Sequence, residues 1–579
     1  MFLESGLQAG LVNLLDCVAS PTQGTTRTSA QLTCFEARRT VSGTMMRHTT
    51  FTRSALVLPT LALVIASATA ILHGRQGGGL NQPVKVQGGQ VSGVPGKHAG
   101  ITAFRGVPFA AAPTGNRRWQ APQPPEPWTG VRKAEAFGPS CIQSIAQERK
   151  PWTYEFMTHG EISEDCLFVN VWTPAKSPSE KRPVFVYIYG GANTEGSGMV
   201  PVYDGEGLAS KGLVVVNFNY RVGVLGFLTH PELSKEAPYH ASGNYGLLDQ
   251  IAAVKWVHEN IAAFGGDPTR ITIAGQSAGG QAVHNLTASP LAKGLFHRAI
   301  IESSGGASRP LADSEADGVR FAEAKGAATL ADLRAKSWQD IVAPVPAPAT
   351  AGGGRGGGNL RFGIVVDGYA LPATVNEIFA QGKQNDVPTI TGANADEGGA
   401  SPQPTTTAQD FERQARQRYG EAADEFLKLY PAPTDEAAKL AQNQSARDVA
   451  RTSLYMWAIT RSKTAKTKVF TYFWNHPLPG PDVAQYGAFH TSEVPYVLNT
   501  LEQSDRPFTD VDRKVADLLS SYWVNFATTG DPNGKGLPAW PAADGKSWMT
   551  MELTERPHAI PVADSPAKQA FLERAVSRR

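Results

Sequence analysis

Cysteine is scarce in this chain. Four cysteines in 579 residues exclude a disulfide-built scaffold and a protein with several thiolate zinc sites. Charge of one sign is also lacking: 54 Lys and Arg face 52 Asp and Glu, a net +2. The first seventy residues carry that small excess, in Arg27, Arg38, Arg39, Arg47 and Arg53 against Glu4, Asp16 and Glu36. The rest balances to neutral. Phosphate binding needs clustered excess Lys and Arg, so nucleic acid is excluded as the main partner. There is no internal repeat, no collagen period and no long charge block. With 41% hydrophobic and 18% charged side chains, the composition is globular.

Long apolar runs are few, and only residues 54–70, "SALVLPTLALVIASATA", stand out. Arg47 and Arg53 precede this run, and Ala68-Thr69-Ala70 ends it. A basic region, a short apolar core and a small-x-small end describe a secretory signal peptide. The run is short for a bilayer span and Pro59 interrupts it. No cysteine follows it for lipid attachment. Residues 45–70 therefore read as a signal peptide starting near Met45 or Met46. Residues 1–44 are an upstream extension, expected to be disordered and functionally silent, or a start assigned too early. The expected location is periplasmic or extracellular, with no stable membrane insertion once the signal is removed. Residues 71–82, rich in Gly and Gln, read as a flexible tether.

Export changes the meaning of the cysteines. Cys17 and Cys34 lie in the dispensable stretch. Cys141 and Cys166 remain, an even pair in an oxidising compartment, and are expected to form a disulfide. Closing a loop of about 25 residues contributes on the order of 3 kcal/mol in the chain-entropy picture.

From residue 83 onward, short β-like runs come first ("VKVQGG", "ITAFRGVPFA"), suggesting a small antiparallel start. "PVFVYIYGG" (183–191), "GLVVVNFNY" (212–220), "RITIAG" (270–275), "DVPTITGAN" (386–394) and "KVFTYFW" (468–474) are apolar, β-branched or aromatic runs bounded by turn residues. They read as buried strands. "LLDQIAAVKWVHENIAAF" (247–264) has helical spacing. Strands alternating with helices predict an α/β fold around a mostly parallel sheet. No linker divides the chemical motifs, so residues 83–579 read as one large domain with insertions. Residues 345–359, "VPAPATAGGGRGGGN", are low complexity and read as a surface loop. They lack the strand-to-helix context and the Lys-Ser/Thr of a phosphate cradle.

Gly275-Gln276-Ser277-Ala278-Gly279 follows the "RITIA" strand and precedes an apolar stretch. A G-x-S-x-G between strand and helix is a nucleophile elbow, with Ser277 presented at a helix N-terminus. Alone, the five-residue pattern is weak. Acyl transfer also needs N–H donors for the oxyanion. Ala278, after the serine, offers one. Gly190-Gly191-Ala192, at the end of "VFVYIY", offers the Gly-rich loop that supplies the others. The serine needs a base, and the base an orienting acid, in the order Ser, acid, His. Glu397 lies in "GANADEG" just after a strand, with Asp396 beside it as rival. His476, His490 and His558 lie late enough to be the base. Spacing does not choose between His476 and His490.

Phe264-Gly265-Gly266-Asp267-Pro268 through Gly279 resembles the nucleophile signature of type-B carboxylesterases, the cholinesterase-like branch of the α/β-hydrolases. Ser163-Glu164-Asp165-Cys166-Leu167, with Asn170-Val171, resembles the second signature of that family. "FRGVPFA", "NYRVGVLGFL", "GNYGLLDQ" and "WVHENIAAFGGDP" extend the likeness over nearly all the chain from residue 83, in the bacterial para-nitrobenzyl-esterase-like manner. The resemblance implies Ser277 as nucleophile, Glu397 as acid and His490, in "GAFHTSE", as base. It implies Gly191, Ala192 and Ala278 as oxyanion donors, Glu493 as a buried supporting carboxylate and Ser304 as its serine partner. Cys141 and Cys166 match the first disulfide of the family. Gln276 stands where many members have Glu. A neutral amide there removes a negative charge and should stabilise an imidazolium at His490 less.

These readings converge on a secreted serine hydrolase of small carboxylic esters that needs no cofactor and no metal. Oligomeric state is not legible. A catalytically silent cholinesterase-like adhesion module is the alternative from another class. Lipase or amidase specialisation is the alternative within the fold. "NTEGSG" (193–198) is expected beside the acyl pocket and "QERKPWTYEF" (147–156) beside the entrance.

Overall fold

Apolar runs bounded by Pro and Gly build the frame that carries the chemistry. The computed structural model describes residues 80–146, 148–305, 308–345 and 360–577. Eleven strands form one sheet: β1 (Val94–Pro95), β2 (Thr102–Pro108), β3 (Phe168–Thr173), β4 (Arg182–Ile188), β5 (Val214–Phe218), β6 (Gly266–Gln276), β7 (Arg298–Glu302), β8 (Thr389–Asn394), β9 (Val469–Trp474), β10 (Met549–Leu553) and β11 (His558–Pro561). Their order in space is β11-β10-β9-β8-β7-β6-β4-β5-β3-β2-β1. From β10 to β5 every pairing is parallel. β3, β2 and β1 continue antiparallel beyond β5, and β11 does so at the other edge.

The parallel strands are continuous apolar runs because helices cover the sheet. Val184, Phe185, Val186 and Ile188 of β4 and Ile271, Ile273 and Ala274 of β6 are fully buried. Helices α1 (Tyr245–Asn260), α2 (Ala278–Ala288), α3 (Asp435–Arg461) and α4 (Asp510–Thr529) pack on the strands. The helix expected over 247–264 stops at Asn260. A tighter turn, Ile261–Phe264, follows, and Gly265 closes it with φ of 80°, a left-handed cap that glycine adopts without strain.

The N-terminal small sheet holds Val84–Val86, Gly89–Ser92 and Val131–Lys133. Only its first pairing is antiparallel; the second is parallel. The "ITAFRGVPFA" run does not join it. It forms β2, whose residues are mostly buried and pair with β3. Residues 80–82, expected to belong to the tether, are part of the folded body. Leu80 is buried in the main core, and Gln82 Oε1 accepts the Gly93 N–H at 2.7 Å. The upstream extension, the signal peptide, residues 71–79 and most of the 345–359 loop lie outside the described residues. Cys141 and Cys166 are disulfide-bonded, with Cα atoms 5.0 Å apart. Among the described residues no helix is long and apolar enough to cross a membrane.

Candidate active site

Ser277 sits between β6 and α2 at φ 59° and ψ −124°, backbone that costs about 1–3 kcal/mol for a residue other than glycine. Two glycines make the turn possible. A Cβ on Gly279 would lie 2.0 Å from the Ile188 carbonyl oxygen, and one on Gly275 would lie 2.5 Å from the backbone of Gly279. β4, β6 and α2 thus meet backbone to backbone under the serine. The Ser277 N–H donates to the Glu302 carbonyl at 2.9 Å, tying the elbow to the end of β7. Ala278 opens α2, so its N–H has no intrahelical acceptor and points out with the positive end of the helix dipole.

The 190–193 loop leaves β4 alongside the elbow. A Cβ on Gly190 would meet the Gln276 carbonyl oxygen at 2.6 Å and Ser277 Cβ at 3.0 Å. Gly191, Ala192 and Asn193 all take positive φ, which turns consecutive peptides. Among the described residues the Gly191 and Ala192 amides donate to no protein acceptor. Asn193 Nδ2 donates to Gln281 Oε1 on α2 at 2.9 Å, fixing the loop to the elbow helix.

Glu397 follows β8. Its Oε1 accepts the Asn394 N–H at 2.7 Å, while Oε2 accepts the Nδ1–H of His490 in a partly buried hydrogen bond. His490 Nε2 lies 3.2 Å from the amide nitrogen of Gln276, the residue before the serine. Among the described residues no hydrogen bond joins the Ser277 hydroxyl to the imidazole. Burial pushes the His490 pKa down; the charge and hydrogen bond of Glu397, with Glu493 behind, push it up further, so it stands above its ordinary value. Thr491 accepts from Trp152 Nε1 at 3.1 Å, and Phe156 packs edge-on to Phe489. The 148–156 segment, within the disulfide loop, therefore lies against the histidine loop.

The other candidates are occupied elsewhere. Asp396 takes Arg447 Nη2 and the Ala488 N–H, both at 2.7 Å. His476 pairs with Asp512 at 3.0 Å, and that carboxyl is pulled down to about 2: burial opposes this, but His476, Thr509 and Tyr496 prevail. His558 is exposed on the edge strand.

Glu493 is fully buried, as expected of a supporting carboxylate, but Ser304 is not its partner. Ser304 lies beyond the end of β7, and among the described residues its Oγ reaches only the Gly305 carbonyl, at 3.4 Å. Asn394 Nδ2 holds Glu493 instead, at 2.5 Å. Asn394 ends β8 and so points the carboxamide under the histidine loop. Burial first, then the Glu302 carboxylate, pushes the Glu493 pKa up to about 8. Glu302 is raised by burial to about 7 and accepts from Trp523 Nε1 at 2.9 Å. The sequence reading missed Glu302, although it is paired in register with Gln276. Its signal was a carboxylate ending an otherwise apolar strand.

Ser277, Glu302, Glu397 and the 190–192 loop all stand at or just beyond the carboxyl ends of parallel strands, the arrangement of an α/β-hydrolase. The profile of the Carboxylesterase family matches residues 81–572. The chain belongs to that family and is a carboxylic ester hydrolase. It is 38% identical over 478 residues to a fumonisin B1 esterase of Sphingopyxis macrogoltabida, covering 79% of this chain and 83% of the relative. It is 35% identical over 491 residues to a para-nitrobenzyl esterase of Bacillus subtilis (strain 168), covering 82% and 95%. A cocaine esterase of Homo sapiens is 33% identical over 525 residues, covering 84% and 90%. A solved PNB esterase structure superposes with a TM-score of 0.68 at 31% identity, over 85% of this chain and 99% of that one.

Proposed function

We propose that the chain is an exported serine esterase acting through Ser277, His490 and Glu397. The pairing of His490 Nδ1 with Glu397, with the imidazole set against the residue before Ser277, carries this reading. Glu397 holds the tautomer in which Nδ1 bears the proton and Nε2 is basic. When an ester binds, Nε2 leaves the Gln276 amide and takes the Ser277 proton; such contacts tighten in the substrate complex. Ser277 Oγ attacks the carbonyl carbon. The oxyanion accepts N–H bonds from Gly191, Ala192 and Ala278. Imidazolium returns its proton to the departing alcohol. Water, deprotonated by His490, then cleaves the acyl-enzyme.

The three relatives named above are each called an esterase, so a small-molecule ester is the proposed substrate. Export is supported by the disulfide and by the N-terminal sequence pattern. Ser277→Ala should lower kcat on a para-nitrobenzyl ester by several orders of magnitude with an unchanged melting temperature. It should also abolish labelling by a fluorophosphonate. Retained turnover would overturn the assignment. Absence of labelling in the wild-type chain would favour the binding module.

A further inference from the structure

Two adjacent carboxylates, Asp396 and Glu397, follow β8, and only Glu397 touches the imidazole. The other, Asp396, grips the backbone that carries it. Asp396 Oδ2 accepts the Ala488 N–H at 2.7 Å, and the Asp396 N–H donates back to the Ala488 carbonyl at 3.1 Å. Asn394 Nδ2 donates to the Phe489 carbonyl at 2.7 Å, one residue before the histidine. The loop is shaped to admit the carboxylate. Gly487 takes φ of 58°, and a Cβ there would lie 2.2 Å from Asp396 Oδ2. Behind it, Arg447 of α3 donates Nη2 to Asp396 Oδ1 at 2.7 Å and Nε to the Ala395 carbonyl at 3.1 Å. Asp396 is buried with only 7% of its side chain exposed, so the guanidinium fixes its rotamer and balances its charge.

We infer that Asp396 is a positioning residue for the base: held by Arg447, it locks the Ala488–Phe489 backbone and thereby sets where the His490 imidazole stands relative to Ser277. This rests on the triad reading. Glu397 fixes the ring and Asp396 fixes the chain two residues before it. With both ends held, the imidazole is left the small swing from Gln276 to the serine hydroxyl. If the backbone drifts, Glu397 stays anchored to the Asn394 N–H and still accepts from the ring, but the ring pivots about that bond and Nε2 loses its aim at the nucleophile. Misplacement by about 1 Å costs on the order of 10²-fold in rate. A salt bridge that merely held α3 to the sheet would register in melting temperature and leave turnover per folded molecule alone.

The test uses the full chain and a para-nitrophenyl ester, with kcat, KM and melting temperature measured together. Asp396→Ala should lower kcat about 10²-fold with KM nearly unchanged. Asp396→Asn keeps an acceptor for the Ala488 N–H but turns its amide nitrogen toward the Arg447 guanidinium, so it should recover only part of the rate. Gly487→Ala drives a methyl into the carboxylate and should match Asp396→Ala. His490→Ala, run in parallel, should lose about 10³-fold or more. An inactive His490→Ala beside an Asp396→Ala with wild-type kcat would overturn the positioning role and leave the triad standing. Equal losses in Asp396→Ala and Asp396→Asn would overturn it too. A fully active His490→Ala would overturn the triad itself. Should Asp396→Ala fail to fold, Gly487→Ala and Arg447→Met decide: wild-type kcat in both overturns the inference, and a kcat loss at constant KM supports it.

Discussion

The side-chain amide nitrogen of Gln276 lies 3.2 Å from Nε2 of His490. Because Nδ1–H is committed to Glu397, Nε2 carries the lone pair and accepts from the amide. That contact favours neutral imidazole, since an imidazolium would set N–H against N–H. Burial also favours the neutral ring, but Glu397 and Glu493 pull the other way, and the net displacement is upward. A base must be neutral to act, so activity should be lost as pH falls through a value above the ordinary histidine pKa of about 6.5. Gln276→Glu replaces the donor with a carboxylate and should move that acid limb of kcat/KM higher still, by about one unit. A pH–rate profile reads the shift; an unmoved limb would mean the amide does not govern the ring.

The buried pair Glu302 and Glu493 makes a prediction about stability. Both carboxyls are raised in the folded state, to about 7 and about 8, well above the ordinary glutamate value of about 4.3. Groups raised by folding contribute stability that is complete below the unfolded pKa and is lost as pH rises through the folded one. The melting temperature should therefore decline between pH 5 and pH 9. Glu493→Gln, uncharged throughout, should flatten the upper part of that decline. Differential scanning fluorimetry across the range distinguishes the two curves. Parallel curves would place the titration elsewhere.

Cys141 and Cys166 close the loop that lays Trp152 and Phe156 on the histidine loop. Cys166→Ser, made together with Cys141→Ser to avoid a free thiol, should cost about 3 kcal/mol. It should also change the steady-state kinetics, because the loop packs on the segment that carries His490. Denaturant melts and steady-state kinetics check each part.

Much of this architecture was legible because strong local signals coincide. The "RITIA" strand, the glycines about Ser277 and the apolar stretch after it each demand the same strand-turn-helix. The weaker signals failed for physical reasons. His476 and His490 both follow β9 and both acquire a buried carboxylate partner, Asp512 in one case and Glu397 in the other. Spacing could not separate them because the difference lies in which long-range element brings the acid. Asp396 and Glu397 differ by one step along a loop, and that step decides whether a carboxylate meets a ring or a backbone. Ser304 was assigned by likeness to a motif. The turn at Ser303, with φ of 51°, takes the next residue away from Glu493, and nothing in the local sequence reports where Asn394 will point. The small antiparallel start expected from the runs "VKVQGG" and "ITAFRGVPFA" holds only for the pairing of Val84–Val86 with Gly89–Ser92. The third strand of that sheet arrives from forty residues on and pairs the other way.

The glycine contacts at the elbow bear on how this enzyme can be diversified. At Gly190, Gly275 and Gly279 the space for a side chain is already taken by a neighbouring main chain. Mutational libraries that include these positions spend their diversity on molecules that cannot assemble the turn. Selectivity is better sought on the disulfide loop, at Arg149, Trp152 and Tyr154, whose side chains face the 193–198 turn, the histidine loop and open water. Changes at Arg149 and Tyr154 leave the elbow's main-chain contacts untouched, whereas Trp152 donates to Thr491 beside the histidine.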